Sequence, residues 1–307
     1  MFLHSLYDSM KLQIVLQSCK NCSAKARETM EIGISTASYF NKLQIEDAVL
    51  DIGAHSTGVC ELFLNTYSEY ETAFVEELAG RVEKSGLRVF SVHPMSMQFE
   101  PQLFSIHSRQ RADAWKLYEK VLRAGKRLGA SHYVMHGFAN MSGAVKNVGM
   151  ERIAPIFLDL AQLAGSYGLQ LTLENVSWCV FNHPDFGRRL LDRIGTDSLK
   201  FTLDVKQAIR AGHSPLAYID AVGDLFVNLH LCDATLLPDG GYSLKMPGQG
   251  NVDFAAIRDA LAAHGYSGPA FIEVYSDMYQ QIPQLYDSWR EMRRVFNEGL
   301  EQNEAAQ

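Results

Sequence analysis

Four ionisable side chains each close a short apolar run: Glu174 after Leu171-Thr172-Leu173, Asp204 after Phe201-Thr202-Leu203, His230 after Val227-Asn228-Leu229, and Glu273 after Ala270-Phe271-Ile272. A carboxylate at the end of a buried run is costly to charge unless it gains a partner. A divalent cation is such a partner. Two Glu, one Asp and one His suit Mn²⁺, Mg²⁺, Co²⁺ or Zn²⁺, and the preponderance of oxygen favours Mn²⁺. The chemistry open to this set is proton movement beside a carbonyl: a cation on the carbonyl and neighbouring hydroxyl oxygens stabilises an enediolate, while one glutamate removes the proton and the other returns it. A carboxylate suits that work when its surroundings raise its pKa. Return at the same carbon gives epimerisation; return at the neighbouring carbon gives aldose–ketose isomerisation, and the groups allow either.

The elements that position these residues repeat along the chain. Eight apolar, β-branched runs begin at 31, 59, 88, 132, 170, 200, 225 and 269: Glu31 to Thr36, Val59 to Leu64, Arg88 to Pro94, His132 to Phe138, Gln170 to Val176, Lys200 to Val205, Leu225 to Leu231, and Pro269 to Tyr275. Gly, Pro, Asn or Asp bounds each, as expected for buried parallel strands. Between them lie stretches of helical periodicity, among them Glu71 to Lys84, Ser108 to Leu128, Met150 to Tyr167 and Phe254 to His264, with a closing helix over Leu285 to Gln302. Glycine ends several helices, at Gly86, Gly129 and Gly168, where a left-handed residue stops the helix tightly. Eight βα units predict a single (β/α)8 TIM barrel with a doubly wound sheet as the rival, an N-terminal extension over residues 1–29, and the catalytic domain over 30–307.

Barrel chemistry sits at the carboxyl ends of the strands. There the third run ends at His93 and the fourth at His136, followed by Glu174, Asp204, His230 and Glu273. Asp and Glu number 35 and His 10 in 307 residues, so six consecutive strand ends carrying one is a collective signal that no single member gives. Alone, His93 or His136 is more often a hydrogen-bonded core group.

Composition narrows the partners. Hydrophobic residues at 47% and charged residues at 21% describe a globular chain, and a net charge of −7 supplies no basic field for nucleic acid or an acidic membrane. No apolar stretch is long enough to span a bilayer and none resembles a signal peptide, which predicts a cytoplasmic protein. Cys19, Cys22, Cys60, Cys179 and Cys232 are an odd, scattered set that reads as reduced thiols, and the Cys19–Cys22 spacing as a chance pair.

Leu173-Glu174-Asn175, Leu203-Asp204, His230-Leu231-Cys232-Asp233, Gly248-Gln249-Gly250-Asn251-Val252-Asp253 and Ile272-Glu273-Val274, in that order, resemble the xylose-isomerase-like barrels, which include sugar and sugar-phosphate isomerases and epimerases and endonuclease IV. The similarity runs from about Glu31 to Tyr275. It implies Glu174, Asp204, His230 and Glu273 as metal ligands, Glu174 and Glu273 as the acid/base pair, and His93 and His136 as pocket residues that touch substrate in the sugar enzymes and metal in the nuclease. It also implies dimers or tetramers.

Two departures bear on the nuclease. Many relatives carry a histidine three residues after the strand-six aspartate, where this chain has Gln207, and the nuclease's Asp-x-His is replaced by Tyr242-Ser243-Leu244. The expected activity is therefore a metal-dependent sugar or sugar-phosphate isomerase or epimerase. The alternatives are a keto-inositol-type dehydratase on the same site, phosphodiester cleavage at damaged DNA, and a barrel that binds sugar without turnover.

His93, His136, Lys206, Gln207 and Trp178 complete the substrate-binding candidates. Lys206 and Lys245 lie where either could hold a phosphate or carboxylate, although a solvated surface lysine is the commoner outcome. Trp178, Phe181, Tyr39 and Phe40 follow strand ends and could stack on sugar faces. The Gly248-Gln249-Gly250 loop fits a phosphate cradle no better than a turn before a helix capped at Asp253.

Overall fold

Short apolar runs with most of their residues buried need neighbours on both sides and cover on both faces, which a closed parallel barrel inside a ring of helices provides. In the computed structural model, residues 29–298 are described, apart from 57, 140–148, 196–197 and 239–240. Residues Met30–Glu298 form one compact unit. Its barrel strands are Ile32–Ser35 (β1), Val59–Leu64 (β2), Arg88–Pro94 (β3), His132–Met135 (β4), Gln170–Glu174 (β5), Leu199–Asp204 (β6) and Phe226–Leu231 (β7). An antiparallel hairpin, Asp233–Leu236 (β8) and Tyr242–Lys245 (β9), follows outside the wall, and Ala270–Ile272 (β10) closes it between β7 and β1. The doubly wound alternative is excluded by that closure.

The eight predicted runs all form wall strands. Helices Thr72–Ser85, Ser108–Arg127, Met150–Ser166 and Phe254–Ala263 occupy the predicted stretches. Gly86, Gly129 and Gly168 adopt φ of 70°, 78° and 83°, the left-handed conformation expected at the helix exits. The closing helix, Pro283–Asn297, is fastened to the first strand: Trp289 Nε1 donates to the Ile32 carbonyl at 2.7 Å, and Asn297 Oδ1 accepts from Met30 N at 2.8 Å.

The barrel interior is stratified. Val59, Phe90 and Phe271 form an apolar cluster among residues near the amino ends of their strands. Glu61, Ser91, Thr172, Thr202 and Asn228 make a fully buried polar set further along, and the ionisable strand ends stand beyond it. Register fixes that last set, because Asp204 pairs with His230 across β6 and β7, and His230 pairs with Phe271 across β7 and β10.

Cys60, Cys179 and Cys232 are free and buried. Burial pushes the Cys60 and Cys232 thiols up to about 12, so neither is a reactive thiolate near neutrality. The expected extension over 1–29, with Cys19 and Cys22, and the chain beyond 298 lie outside the described residues. No helix among the described residues is long and apolar enough to cross a membrane.

Candidate metal centre and active site

The parallel register brings Glu174, Asp204, His230 and Glu273 together at the mouth, with one ligand-type atom of each within 4.8 Å of the others. His230 Nδ1 is the hub. It lies 2.7 Å from Glu273 Oε2, 3.4 Å from Glu174 Oε1 and 3.9 Å from Asp204 Oδ2. All four residues are buried, yet Glu174 Oε2, Asp204 Oδ2, His230 Nδ1 and Glu273 Oε2 have no hydrogen-bond partner. Orphaned polar atoms of this kind are rare in a folded interior and require explanation. Convergent carboxylate and imidazole donors whose polar neighbours are chiefly one another, with His136 beside Glu174 and Lys206 beside Asp204, fit a divalent cation.

Electrostatics carries the same message. Burial raises the Asp204 carboxyl to about 7 against the pull of Lys206, with Glu174 and Glu273 adding repulsion. Burial also opposes charge on Glu273, but His230 and Lys206 bring it down to about 2. Glu174 is held well below the ordinary carboxylate range despite burial, by His136 and His230. Three carboxylates in one dry pocket thus need positive charge, and the protein's own groups meet the need only in part.

His93 and His136 join the same site. Their Nε2 atoms are 2.8 Å apart, His136 Nε2 is 2.8 Å from Glu174 Oε2, and Ser96 Oγ is 2.6 Å from His136 Nδ1. With Glu174 they form a second ligand-type trio. Glu100 supports them from below, accepting from His136 N at 2.9 Å, Gly137 N at 3.0 Å and the Tyr133 hydroxyl at 3.0 Å.

Lys206 is not a solvated surface residue. It is 2% exposed, with Nζ 3.0 Å from Asp204 Oδ2, 3.3 Å from Glu273 Oε1 and 5.1 Å from the Tyr275 ring centroid. The helix Val205–Arg210 starts directly after β6, so no loop carries Lys206 out to solvent. Gln207 is a brace: its Oε1 accepts from Ser177 N at 3.2 Å and Ser177 Oγ at 2.8 Å, and its backbone N–H donates to Asp204 Oδ1 at 2.8 Å. Asn175 fixes the other side of Asp204 through the backbone, donating to its carbonyl at 3.0 Å and accepting from its N–H at 2.6 Å.

The aromatic candidates divide. Trp178 is half-exposed and meets His136 edge-on at 5.9 Å, and Phe40 is exposed. Tyr39 and Phe181 are fully buried packing residues and present no stacking face. Tyr39 bonds Asp51 and Tyr286, and Phe181 packs on Phe186, Phe201 and Tyr218. Lys245 belongs to the hairpin strand β9 and is partly buried there.

The glycine loop holds a protein carboxylate. Asp233 Oδ2 accepts from Gly248 N at 3.0 Å and Gly250 N at 2.8 Å, while Oδ1 accepts from Ala234 N at 2.8 Å and Val252 N at 3.1 Å. A Cβ on Gly250 would stand 2.3 Å from Asp233 Oδ1, so glycine is required for that approach. The phosphate-cradle option therefore fails, and the Asp253 cap is present, accepting from Ala256 N at 2.9 Å. Asp233→Ala strands four backbone donors, and we expect it to lower unfolding free energy by about 2 to 4 kcal/mol, read as a fall in the urea midpoint at unchanged slope.

Glu61 escapes a search of strand ends because it lies inside β2. It is fully buried beneath His230, and its position within Val59-Cys60-Glu61-Leu62 is the one sequence signal for it. A carboxylate in the middle of a strand with every neighbour apolar must be partnered.

Fold and site together define a (β/α)8 barrel carrying a divalent-metal type of donor cluster at its carboxyl-end mouth. The chain belongs to the xylose isomerase-like TIM barrel family, whose sequence model matches residues 47–298. An uncharacterized protein of Mycobacterium leprae is 23% identical over 270 residues, covering 81% of this chain and 90% of that one. Among solved structures, the IolI protein with a bound zinc atom superposes with a TM-score of 0.72 at 16% identity, covering 88% of this chain and 99% of that one. A D-tagatose 3-epimerase-like protein gives 0.71 at 16%, covering 88% and 100%. L-ribulose 3-epimerase gives 0.71 at 16%, covering 90% and 98%.

Proposed function

We propose that the protein is a divalent-metal-dependent sugar or sugar-phosphate isomerase or epimerase that works by two-base proton transfer in the cytoplasm. The observation that carries the reading is the placement of Glu174 and Glu273, from strands separated in the wall by β6 and β7, within 3.4 and 2.7 Å of the same atom, His230 Nδ1. Glu174, Asp204, His230 and Glu273 would hold the ion, with Mn²⁺ favoured by three carboxylates to one imidazole. When bound, the ion supplies positive charge to substrate oxygens as negative charge develops beside the carbonyl.

The remaining work falls to the chain's own residues. One glutamate takes the proton from carbon and the other delivers one, which requires two carboxylates within reach of the same substrate segment. His93 and His136 supply ring nitrogens for substrate hydroxyls, with His136 propped by Ser96 and by Glu100 beneath its backbone. Trp178 offers an aromatic edge and face at the rim. Lys206 supplies a fixed cation beside Glu273, and Gln207 holds the strand-five loop against Asp204. Support also comes from the fold neighbours, which include L-ribulose 3-epimerase, a D-tagatose 3-epimerase-like protein and the zinc-bound IolI protein.

The test is exchange of substrate α-protons with solvent, followed by NMR in D₂O across ketoses, aldoses, their phosphates and hydroxypyruvate, in protein loaded with Mn²⁺. Metal-dependent exchange is expected with at least one member, and the isomeric product identifies the outcome. No exchange with any member overturns the reading. Loss of water from a keto-inositol in the same assay would replace it with the dehydratase, and nicking of abasic DNA would replace it with the nuclease.

A further inference from the structure

We infer that the cavity between the loops after β1 and β2 is a subsite for the second ring of a neutral disaccharide or glycoside whose first ring lies at the carboxylate cluster. The inference rests on the proposed sugar chemistry and narrows it, from sugars in general to uncharged substrates of at least two rings.

The cavity has a volume of about 560 Å³, inside the range of about 300 to 1,000 Å³ usual for small-molecule sites. Thr36, Phe40, Gln44, Asn65 and Glu69 are among the residues that line it. Thr36 and Asn65 directly follow β1 and β2, so it lies at the same carboxyl-end face as the strand-end cluster. Phe63 joins the two. Its N–H donates to Thr36 Oγ1 at 2.7 Å, its carbonyl accepts from Asn65 Nδ2 at 3.3 Å, and its ring meets the His93 ring edge-on at 4.8 Å.

The lining suits a sugar ring, which has an apolar face and hydroxyls around its edge. Phe40 is 45% exposed and offers an aromatic face. Asn65 Oδ1 is shut off from solvent without a hydrogen-bond partner, an acceptor that a ligand hydroxyl would satisfy. Gln44 precedes the helix Ile45–His55 but its side chain makes no capping bond, which leaves an amide to the cavity. The charged groups of the lining are engaged elsewhere. Lys42 Nζ stands 4.5 Å from the Tyr279 ring centroid, Asp47 Oδ1 is 3.8 Å from an Arg81 guanidinium nitrogen, and Glu69 Oε2 accepts from the N–H groups of Asn65 and Thr66. Nearer the cluster, Asp233 fills the glycine loop, and Lys206 is paired with Asp204 and Glu273. A phosphate would have to break one of these pairings; a neutral ring need not.

Binding reads the subsite without turnover. In protein loaded with diamagnetic Mg²⁺, maltose, cellobiose, lactose, sucrose and trehalose are compared with glucose, fructose and their 6-phosphates by saturation-transfer NMR and calorimetric titration. At least one disaccharide should receive saturation on both rings and bind about 10-fold more tightly than its monosaccharides, the equivalent of one or two added hydrogen bonds. Gln44→Trp fills the cavity from an exposed position, and Phe40→Ala removes the aromatic face. Each should lower disaccharide affinity about 10-fold, to that of the monosaccharide, and leave saturation on one ring only, with the melting temperature unchanged. Phe40→Ala keeps the test open should Gln44→Trp fail to fold.

Disaccharides that bind no more tightly than their monosaccharides overturn the inference, as does a two-ring contact that survives Phe40→Ala and Gln44→Trp, which would place the second ring elsewhere. Preference for the 6-phosphates over every neutral sugar overturns it too. If monosaccharide α-protons exchange while any of these results is found, the proposed function stands and the subsite falls. If two-ring binding behaves as expected while no sugar exchanges a proton, the subsite stands and the proposed function falls.

Discussion

Glu273→Gln and Glu174→Gln should each reduce metal-dependent proton exchange by about 10³-fold or more, the largest effect expected of single substitutions in this protein. An amide matches the carboxylate in size but neither accepts nor returns a proton. Glu273 has a second duty, since it pairs with His230 at 2.7 Å and Lys206 at 3.3 Å, so part of its loss will appear as weaker Mn²⁺ binding. Assay at saturating Mn²⁺ separates the two. If exchange recovers at high metal, the residue is a ligand only; if it stays down, the residue moves protons. Should the two variants differ, each retaining one half-reaction, the proton taken and the proton returned belong to different glutamates. Full activity in both would remove the two-base mechanism.

Asp204→Asn should weaken Mn²⁺ binding by about 100-fold and abolish turnover at ordinary metal concentrations, with little change in the barrel. The shape is secured by contacts that do not depend on its charge: the backbone clasp of Asn175 and the Gln207 N–H on Oδ1. The stability effect runs the other way. With its carboxyl raised to about 7 by burial and like-charged neighbours, Asp204 binds its proton more tightly folded than unfolded. Its contribution is therefore fully present below its unfolded pKa near 4 and is lost as pH rises through about 7. After chelation at pH 8, Asp204→Asn should consequently be the more stable protein, by on the order of 2 kcal/mol. Added Mn²⁺ should reverse that order, because it stabilises only a chain that binds it. Thermal melts of both proteins with chelator and with Mn²⁺ check all three statements.

What the sequence discloses depends on how local each signal is. Strands β2 and β3 occupy the predicted residues from first to last, because Val59–Leu64 and Arg88–Pro94 are apolar runs with turn residues on both sides. The last strand is shorter than its run, since Val274 and Tyr275 continue the apolar pattern past the residues that pair with β1 and β7. The hairpin of Asp233–Leu236 and Tyr242–Lys245 is invisible to periodicity because it is short and follows β7 after one residue. What holds it is the Asp233 cage, a contact with Gly248 and Gly250 that no local pattern announces.

The same distinction orders the site. Glu174, Asp204, His230, Glu273, His93 and His136 are legible because a barrel delivers strand ends to one mouth, and counting strand ends is enough to find them. Glu61 and Glu100 are not at strand ends, and their roles are set by contacts distant in sequence: His230 and Asn228 across the barrel for one, His136 and Tyr133 of the neighbouring β4 segment for the other. Lys206 illustrates the limit from the opposite side. Its residue type predicts solvent, and only the start of a helix directly after β6, together with two carboxylates in reach, keeps it inside.

The central claim is that Glu174, Asp204, His230 and Glu273 hold a divalent ion on which proton transfer depends. Titration of chelated protein with Mn²⁺, followed in the same samples by solvent exchange of a substrate α-proton, tests it most directly. The prediction is saturable uptake at the four-residue site, with exchange absent at zero metal and rising in parallel with occupancy. Exchange that persists without metal, or no uptake even after refolding in Mn²⁺, would contradict it.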